Sequence, residues 1–142
     1  VKAGGKSMRE IKFKGWHTIQ KKMFSAEEMA ADQLTLLPTG SFINVSGDST
    51  RLSTIYPREQ FIPLQFTGLL DKNGKEIYEG DIVKDSSGIG QVGYSPPSFL
   101  VDTGDPLRFW LGGGKEYPPN WLLTDTEVIG NVYENPELLE AK

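Results

Sequence analysis

The feature that most constrains this sequence is how often glycine and proline interrupt it. Sixteen glycines and nine prolines are distributed over 142 residues. Such frequent interruption is typical of short strands joined by turns and disfavours long helices. Five or six short strands at this spacing predict a mainly β protein with a minor α content. The predicted architecture is a small, SH3-like, partly open barrel of antiparallel strands, preceded by a β-hairpin and short-helix subdomain.

The chain is predicted to contain two subdomains. Residues 1–7 are expected to be vector-derived and are left out of the fold prediction. Residues 8–62 are predicted to form the N-terminal hairpin and short-helix subdomain, and residues 63–142 the barrel-like subdomain with a short terminal helix. The boundary lies near an irregular connection that we expect between Pro57 and Pro63.

The N-terminal subdomain carries local signals for both strands and a helix. Ile11 and Phe13 alternate with charged residues, which predicts a half-buried first strand with these two side chains in the core. Ser25-Ala26-Glu27-Glu28 has the pattern of a capping box and predicts a helix of about two turns after it. Residues 34–37 and 42–46 are separated by Pro38-Thr39-Gly40-Ser41, which favours a hairpin.

The C-terminal subdomain is predicted from a strong turn signal. Asn73-Gly74 supplies the positive φ of a tight turn and joins a strand at Leu64–Leu70 to one at Glu76–Lys84. Glu127–Tyr133 alternates and is predicted as the last strand, in a central position of the barrel. Asn135 is followed by proline and glutamate, a pattern that starts helices.

Composition excludes several chemical classes and disfavours an enzyme. The chain has no cysteine, which excludes disulfides, thiolate metal sites and cysteine nucleophiles. Its single histidine excludes a two-histidine metal motif. Apolar runs are shorter than the roughly 20 residues of a membrane-spanning helix. We therefore expect no cofactor, no metal, no catalytic residue and no membrane association.

Two isolated features have a chemical and a structural interpretation. Glu79 and Asp81 lie two residues apart, which suits a cation site or an acid–base pair if they share a strand face. The favoured interpretation is structural, with Gly80 as a bulge and Asp81 bonded to nearby backbone amides. For His17, the favoured interpretation is a solvent-exposed turn residue.

The N-terminal hairpin is basic although the whole chain has a net charge of −4. Basic residues alternate there with Phe13, Trp16 and Phe24. A basic ribbon with aromatic side chains is one way to bind the phosphates and bases of nucleic acid. The candidate nucleic-acid-binding residues are Arg9, Lys12, Lys14, Lys21 and Lys22. The alternative interpretation is an amphipathic hairpin whose lysines lie in water.

A second candidate surface consists of aromatic residues around three successive glycines, Gly112 to Gly114. Trp110, Tyr117 and Trp121 flank or follow this segment. Aromatic residues on such a loop are typical of contacts with a partner protein or a neighbouring subunit. The competing interpretation places Trp110 and Trp121 in the core at one end of the barrel.

Three segments resemble one protein family. They are Phe66–Val83, which reads FTGLLDKNGKEIYEGDIV, Met8–Trp16, which reads MREIKFKGW, and Glu127–Leu139, which reads EVIGNVYENPELL. In this order they resemble the YopX family of phage and prophage proteins. The resemblance implies a small, mainly β, cytoplasmic protein encoded by a phage or an integrated prophage. It implies no activity and no catalytic residues.

Two functional hypotheses follow from these observations. The first is a non-enzymatic phage or prophage accessory protein that acts by binding another protein, within a homo-oligomer. The alternative is a nucleic-acid-binding module that uses the basic N-terminal hairpin. An enzyme ranks third, because no group of residues in the sequence supplies convergent catalytic chemistry.

Overall fold

A computed structural model describes residues 2–3, 6–7, 10–45, 54–95, 98–102, 109–110 and 123–140. These residues form fourteen short strands and two short helices. In chain order, the elements are β1 (Lys2–Ala3), β2 (Lys6–Ser7), β3 (Phe13–His17), β4 (Lys22–Phe24), α1 (Ala26–Ala31), β5 (Leu34–Leu36), β6 (Phe42–Asn44), β7 (Thr54–Tyr56), β8 (Phe61–Leu70), β9 (Glu76–Tyr78), β10 (Asp81–Asp85), β11 (Gly88–Ser95), β12 (Ser98–Asp102), β13 (Phe109–Trp110), β14 (Glu127–Asn131) and α2 (Glu137–Glu140).

The fold class predicted from the sequence is confirmed. The protein is mostly antiparallel β structure, with a curled half-barrel sheet and few helices. The chain divides into two compact units, Lys12–Gln65 and Val1–Ile11 with Phe66–Lys142. The predicted boundary between residues 62 and 63 lies inside β8, which continues from the first unit into the second. No helix among the described residues has the length and apolar character needed to cross a membrane.

The core of the Lys12–Gln65 unit is aromatic. It consists of Phe24, Met29, Phe42 and Phe61, with Leu34, Leu36 and Tyr56 packed against it. β3 pairs with β4 on one side and with the first half of β8 on the other. Gly15 in β3 faces this core, and a Cβ atom there would overlap the Phe61 ring. The close approach of β3 to the ring therefore requires glycine.

The capping box predicted at the start of α1 is confirmed. The Ser25 hydroxyl accepts the Glu28 amide at 3.1 Å, and the Glu28 carboxylate accepts the Ser25 amide at 3.3 Å. These bonds satisfy two of the amides that a helix start leaves without partners. Met29, on the inner face of this six-residue helix, is its only buried residue, and it belongs to the aromatic core.

The predicted hairpin after α1 is also confirmed and gains a third strand. β5, β6 and β7 form a three-stranded antiparallel sheet in that order. β7 directly precedes the connection between Pro57 and Pro63, at residues for which no strand was predicted. β8 begins at Phe61 and includes Pro63, so the prediction of irregular structure from 57 to 63 is wrong beyond the turn at 58–60.

The remaining unit is organised around a five-stranded sheet with the order β13-β12-β11-β10-β14. Its core contains Ile77, Val83 and Val92, and Leu69, Val101, Leu123 and Val128 pack against it. Within the described residues β14 pairs with β10 alone. The last strand therefore lies at an edge of this sheet, and the prediction of a central position is wrong.

The turn predicted at Asn73-Gly74 is confirmed, but the strand after it is shorter than predicted. Gly74 has a φ of +82° between β8 and β9. β9 ends at Tyr78, because a turn at Glu79 and Gly80, with Gly80 also at φ +82°, redirects the chain. β10 then pairs with β11 and β14 rather than with β8. The predicted single strand from Glu76 to Lys84 is two strands in two sheets.

Candidate functional site

The structure does not place the predicted lysines on one face of the N-terminal hairpin. Lys22 lies opposite His17 in the β3–β4 pair, and its Nζ is 4.5 Å from the centre of the Phe24 ring. Lys14 lies an odd number of residues from His17, so it projects from the other face of the same strand. Lys21 occupies the turn, with a φ of +52°. The fifth candidate, Arg9, lies outside the described residues.

Two of these lysines are also close to carboxylates of α1. The Nζ of Lys12 is 4.0 Å from Glu27, and the Nζ of Lys22 is 3.5 Å from Glu28. The Ser25 amide, helped by the Ser25 hydroxyl and Lys22, holds the pKa of Glu28 below its ordinary value despite some desolvation. Glu28 is therefore charged at neutral pH and reduces the positive potential of the hairpin. Nucleic-acid binding by the hairpin stays a prediction, and two of its lysines lie near carboxylates.

The aromatic candidates are only partly placed. Trp110 belongs to β13, which pairs with β12 through Leu100 opposite Trp110 and Val101 opposite Phe109. Tyr117 and Trp121 lie outside the described residues. Their role as a partner-binding surface therefore stays a prediction from the sequence.

His17 is a core residue, which corrects the interpretation as an exposed turn residue. It is the last residue of β3 and only 9% exposed. Its ring is 5.3 Å from Phe61, 6.2 Å from Tyr56 and 6.5 Å from Phe24, measured between ring centres. Its Nδ1 accepts the Gln20 amide at 3.1 Å, which fastens the β3–β4 turn. Polar neighbours in the sequence suggested exposure, but strand pairing turned this side chain inward.

The Glu79–Asp81 pair is structural, and its two carboxylates do not share a strand face. Glu79 lies in the turn, whereas Asp81 begins β10 and is buried. Asp81 Oδ2 accepts the Tyr78 amide at 2.8 Å, which confirms that it bonds the nearby backbone. The predicted bulge at Gly80 is wrong, because the register shift in β10 lies between Ile82 and Val83. Within the described ranges no three histidine or acidic side chains form a group that could hold a metal ion.

Sequence analysis missed a second buried carboxylate, Asp71. It is 1% exposed, and its Oδ1 accepts the amides of Asn73 at 2.8 Å and Lys75 at 2.9 Å. Its Oδ2 accepts the Val128 amide at 2.9 Å, which joins the tight turn to β14. Burial raises the pKa of Asp71, but the three amides outweigh burial and the net pKa is lowered. The Asp71 carboxylate thus stabilises the backbone of the turn and its contact with β14.

The feature best suited to binding is the outward face of the β5–β6–β7 sheet. Ile43 lies opposite Thr35 on β5 and opposite Ile55 on β7, so the three side chains share one face. The other face carries Leu34, Leu36, Phe42 and Tyr56 and packs on the aromatic core. Ile55 is 60% exposed, and Val45, two residues after Ile43, is 46% exposed. We call Thr35, Ile43, Val45 and Ile55 the outer apolar face.

The sequence carries a signal for the outer apolar face. Ile43 and Val45 alternate with Phe42 and Asn44, which places apolar residues on both faces of one strand. A half-buried strand normally alternates apolar with polar residues. When a strand has apolar residues at both odd and even positions, one set can pack in the core and the other set faces outward. Unless another layer covers the sheet, the outward set forms an exposed apolar surface. The pattern became interpretable only when β7 was known to continue the sheet.

Comparisons with known proteins agree with this fold. No curated protein has a significantly similar sequence. Protein EF1440 from Enterococcus faecalis has a crystal structure that is 26% identical, covers 93% of this chain and 99% of its own, and gives a TM-score of 0.53. The X-ray structure of protein yopX from Bacillus subtilis is 21% identical, covers 92% of this chain and 98% of its own, and gives a TM-score of 0.57.

The family assignment rests on a match to a family model as well as on the fold. The model described as YopX protein matches residues 12–140, which is most of the chain. The same span contains the two longer segments on which the resemblance in the sequence was based. This chain therefore belongs to the YopX family.

Proposed function

We propose that this protein is a non-enzymatic accessory protein of phage or prophage origin that binds another protein in the cytoplasm of a bacterial host. The observation that carries the proposal is the outer apolar face. A branched apolar side chain that is 60% exposed, next to Ile43 and Val45 on the same face, leaves apolar surface in water. Covering such a surface with a partner is favourable, by about 25 cal/mol for each Å² of apolar area removed from water.

The polar groups of the fold support binding rather than catalysis. Asp71 and Asp81, the two buried acids of the described core, accept backbone amides. His17 uses Nδ1 for the Gln20 amide and is surrounded by aromatic rings. A general acid or base needs a position from which it reaches a substrate. Each of these three groups instead stabilises a turn or a strand end.

The alternative of nucleic-acid binding has less support. Lys14 and Lys22 project from opposite faces of the hairpin, and Lys22 lies 3.5 Å from Glu28. A phosphate-binding ribbon would present its positive charges together and without competing carboxylates. We therefore place the interaction surface on the three-stranded sheet and not on the basic hairpin.

The experiment that tests the proposed function is site-specific cross-linking in bacterial cells. A photoreactive residue at position 55 is expected to capture a discrete partner protein, identified by mass spectrometry. The matched control carries the same residue at Tyr94, which is 55% exposed in the other unit. Equal capture from both positions, or none from position 55, would contradict the proposal. A steep loss of DNA or RNA affinity with added salt would favour the alternative.

A further inference from the structure

Hydrogen bonds at the two ends of the β5–β6 pair show which backbone groups of β6 point toward β5 and which point toward β7. The Leu37 amide donates to Ser41 at 2.8 Å, and the Val45 amide donates to Gln33 at 2.8 Å. Hydrogen-bonded pairs in an antiparallel ladder recur every second residue. The backbone groups of Ile43, midway between Ser41 and Val45, therefore point toward β5. Those of Phe42 and Asn44 point toward β7.

The hydrogen-bonding pattern of β6 determines which way the N–H and C=O groups of Ile55 point. Phe42 lies opposite Tyr56 and Asn44 lies opposite Thr54, so Thr54 and Tyr56 bond to β6. Ile55 lies opposite Ile43 in the intervening pair, and its N–H and C=O therefore point away from β6. In the part of the chain that the structure describes, β7 has no strand on that side. One donor and one acceptor at the same residue thus face outward.

A donor and an acceptor on one residue form a self-complementary unit. When two antiparallel strands meet with the same residue at the centre, each N–H donates to the C=O of its symmetry mate. A two-fold axis between the strands generates this arrangement, which is the symmetry of an isologous dimer. We propose that β7 pairs with β7 of a second copy of the chain, Ile55 opposite Ile55, to form a continuous six-stranded sheet.

Charge also favours β7 over other edge strands for self-pairing. Thr54-Ile55-Tyr56 carries no charged residue, whereas the edge strands β4, β9 and β14 contain Lys22, Glu76 and Glu127. Like charges brought opposite one another destabilise a strand pair, and proteins use such charges to protect edges. β5 is neutral but lies beside α1. β13 is also a neutral edge strand, but it has only two residues. β7 is therefore a neutral edge strand of three residues against which no helix packs as closely as α1 packs against β5.

The same pairing buries part of the outer apolar face. Residues directly opposite in a ladder share a face, so the two Ile55 side chains would lie side by side next to Ile43 of each copy. Pro57 follows β7 and has no amide to extend the ladder. The contact is therefore short, with two backbone hydrogen bonds at its centre. An interface of this size belongs to the weak and transient class.

The inference goes beyond the proposed function, because it adds a second copy of the chain at the edge of the sheet that carries the outer apolar face. Sedimentation equilibrium of the wild type over a wide concentration range is expected to show a monomer–dimer equilibrium. Ile55→Lys, which places two ammonium groups opposite each other, is expected to raise the dissociation constant about tenfold or more. Thr35→Lys adds the same charge to the same face on β5, the strand farthest from β7, and should leave dimerisation unchanged.

A second variant separates strand pairing from general apolar association. Ile55→Pro removes the outward N–H, which β6 does not use, and is expected to abolish the dimer while its thermal melt shows a folded chain. A wild type that stays monomeric at every concentration would overturn the inference, as would dimerisation of Ile55→Lys at wild-type strength. If the monomeric chain still captures a discrete partner at position 55, the proposed function stands and only the dimer is wrong. If dimers form but no other protein is captured, the proposed binding to another protein fails.

Discussion

Two residues, one in each unit of this protein, show opposite uses of polar and apolar side chains. In the β8–β9 turn, a charged side chain, Asp71, is 1% exposed and holds three amides. In the three-stranded sheet, an apolar side chain, Ile55, is 60% exposed and contacts the solvent. The carboxylate, which has the richer chemistry, is structural. The isoleucine, which cannot form hydrogen bonds through its side chain, lies in the surface that we propose for binding.

This contrast shows how to interpret buried charge and exposed apolar surface. A buried carboxylate is stable when backbone donors replace its water, and those bonds then occupy most of the acceptor positions that it could offer a ligand. An exposed apolar face, in contrast, remains in water until another surface covers it. The buried carboxylate has its hydrogen-bond partners, whereas the exposed apolar face remains in contact with water. Measuring stability and association for the same set of variants tests this difference.

The largest expected effect is the loss of Asp71. Asp71→Ala should lower the free energy of unfolding by about 3–5 kcal/mol, because three amides lose their acceptor at a buried position. Asp125→Ala is the matched control, since Asp125 is exposed and accepts hydrogen bonds from the Ser86 amide and hydroxyl; it should cost less than about 1 kcal/mol. Urea denaturation measures both. Equal costs for the two variants would remove the central role of Asp71.

The second effect concerns the aromatic core of the other unit. Gly15→Ala should cost about 2–3 kcal/mol, because the new methyl group meets the rigid Phe61 ring, with Cδ1 at 2.8 Å, and Met29 Sδ at 3.0 Å. Gly93→Ala, in a strand with no heavy atom within 4 Å of the added Cβ, should change stability by less than about 1 kcal/mol. Thermal melts of both variants test the packing. A neutral Gly15→Ala would mean that Phe61 moves freely.

The third effect isolates backbone strain at the tight turn. Gly74→Val should cost about 1–2 kcal/mol, because Gly74 has a φ of +82° and nothing lies within 4 Å of an added Cβ. The cost thus comes from conformation and not from a clash. Gly93→Val provides the comparison at a strand position where φ is not positive. If both valine variants melt together with the wild type, the left-handed turn is not required.

A fourth and smaller effect is a dependence of stability on acid. The pKa of Asp71 is lowered in the folded state from an ordinary value of 3.8. A carboxyl with a lowered folded pKa stabilises the fold above its unfolded pKa, and this contribution is lost as the pH falls through the folded pKa. The free energy of unfolding should therefore decline below about pH 4 through this group. Urea titrations at several pH values should show a shallower decline for Asp71→Asn, and an identical decline would contradict the assignment.

The smallest expected change in stability belongs to the residue with the largest expected change in association. Ile55→Lys should alter the free energy of unfolding by no more than about 0.5 kcal/mol, because Ile55 is exposed and its backbone does not bond β6. Urea denaturation at low protein concentration, where the chain is monomeric, measures this value. A loss of several kcal/mol would show that Ile55 is part of the core, and the contrast with Asp71 would disappear.

Sequence reasoning succeeded where the signal was local. The capping box at Ser25 and the positive φ at Gly74 depend on residues within four positions of each other, and the structure confirms both. It failed where a distant strand decided the outcome. Polar neighbours suggested an exposed His17, but pairing with β8 and contact with Tyr56 place it in the core. The strand predicted after Gly74 is too long, because the chain turns at Gly80 to pair in the second sheet, and the local sequence does not indicate that pairing.

The sequence by itself determined the mainly β class, the family, the helix start and the tightest turn. These depend on composition, short motifs and backbone preferences that each residue carries regardless of its surroundings. Only the tertiary structure decided that Asp71 reaches Val128, 57 residues away, and that the backbone of Ile55 points away from β6 in an edge strand of the described sheet. The physical reason is that burial and hydrogen-bond partners are properties of strand order and register, which arise from contacts between residues far apart in the chain.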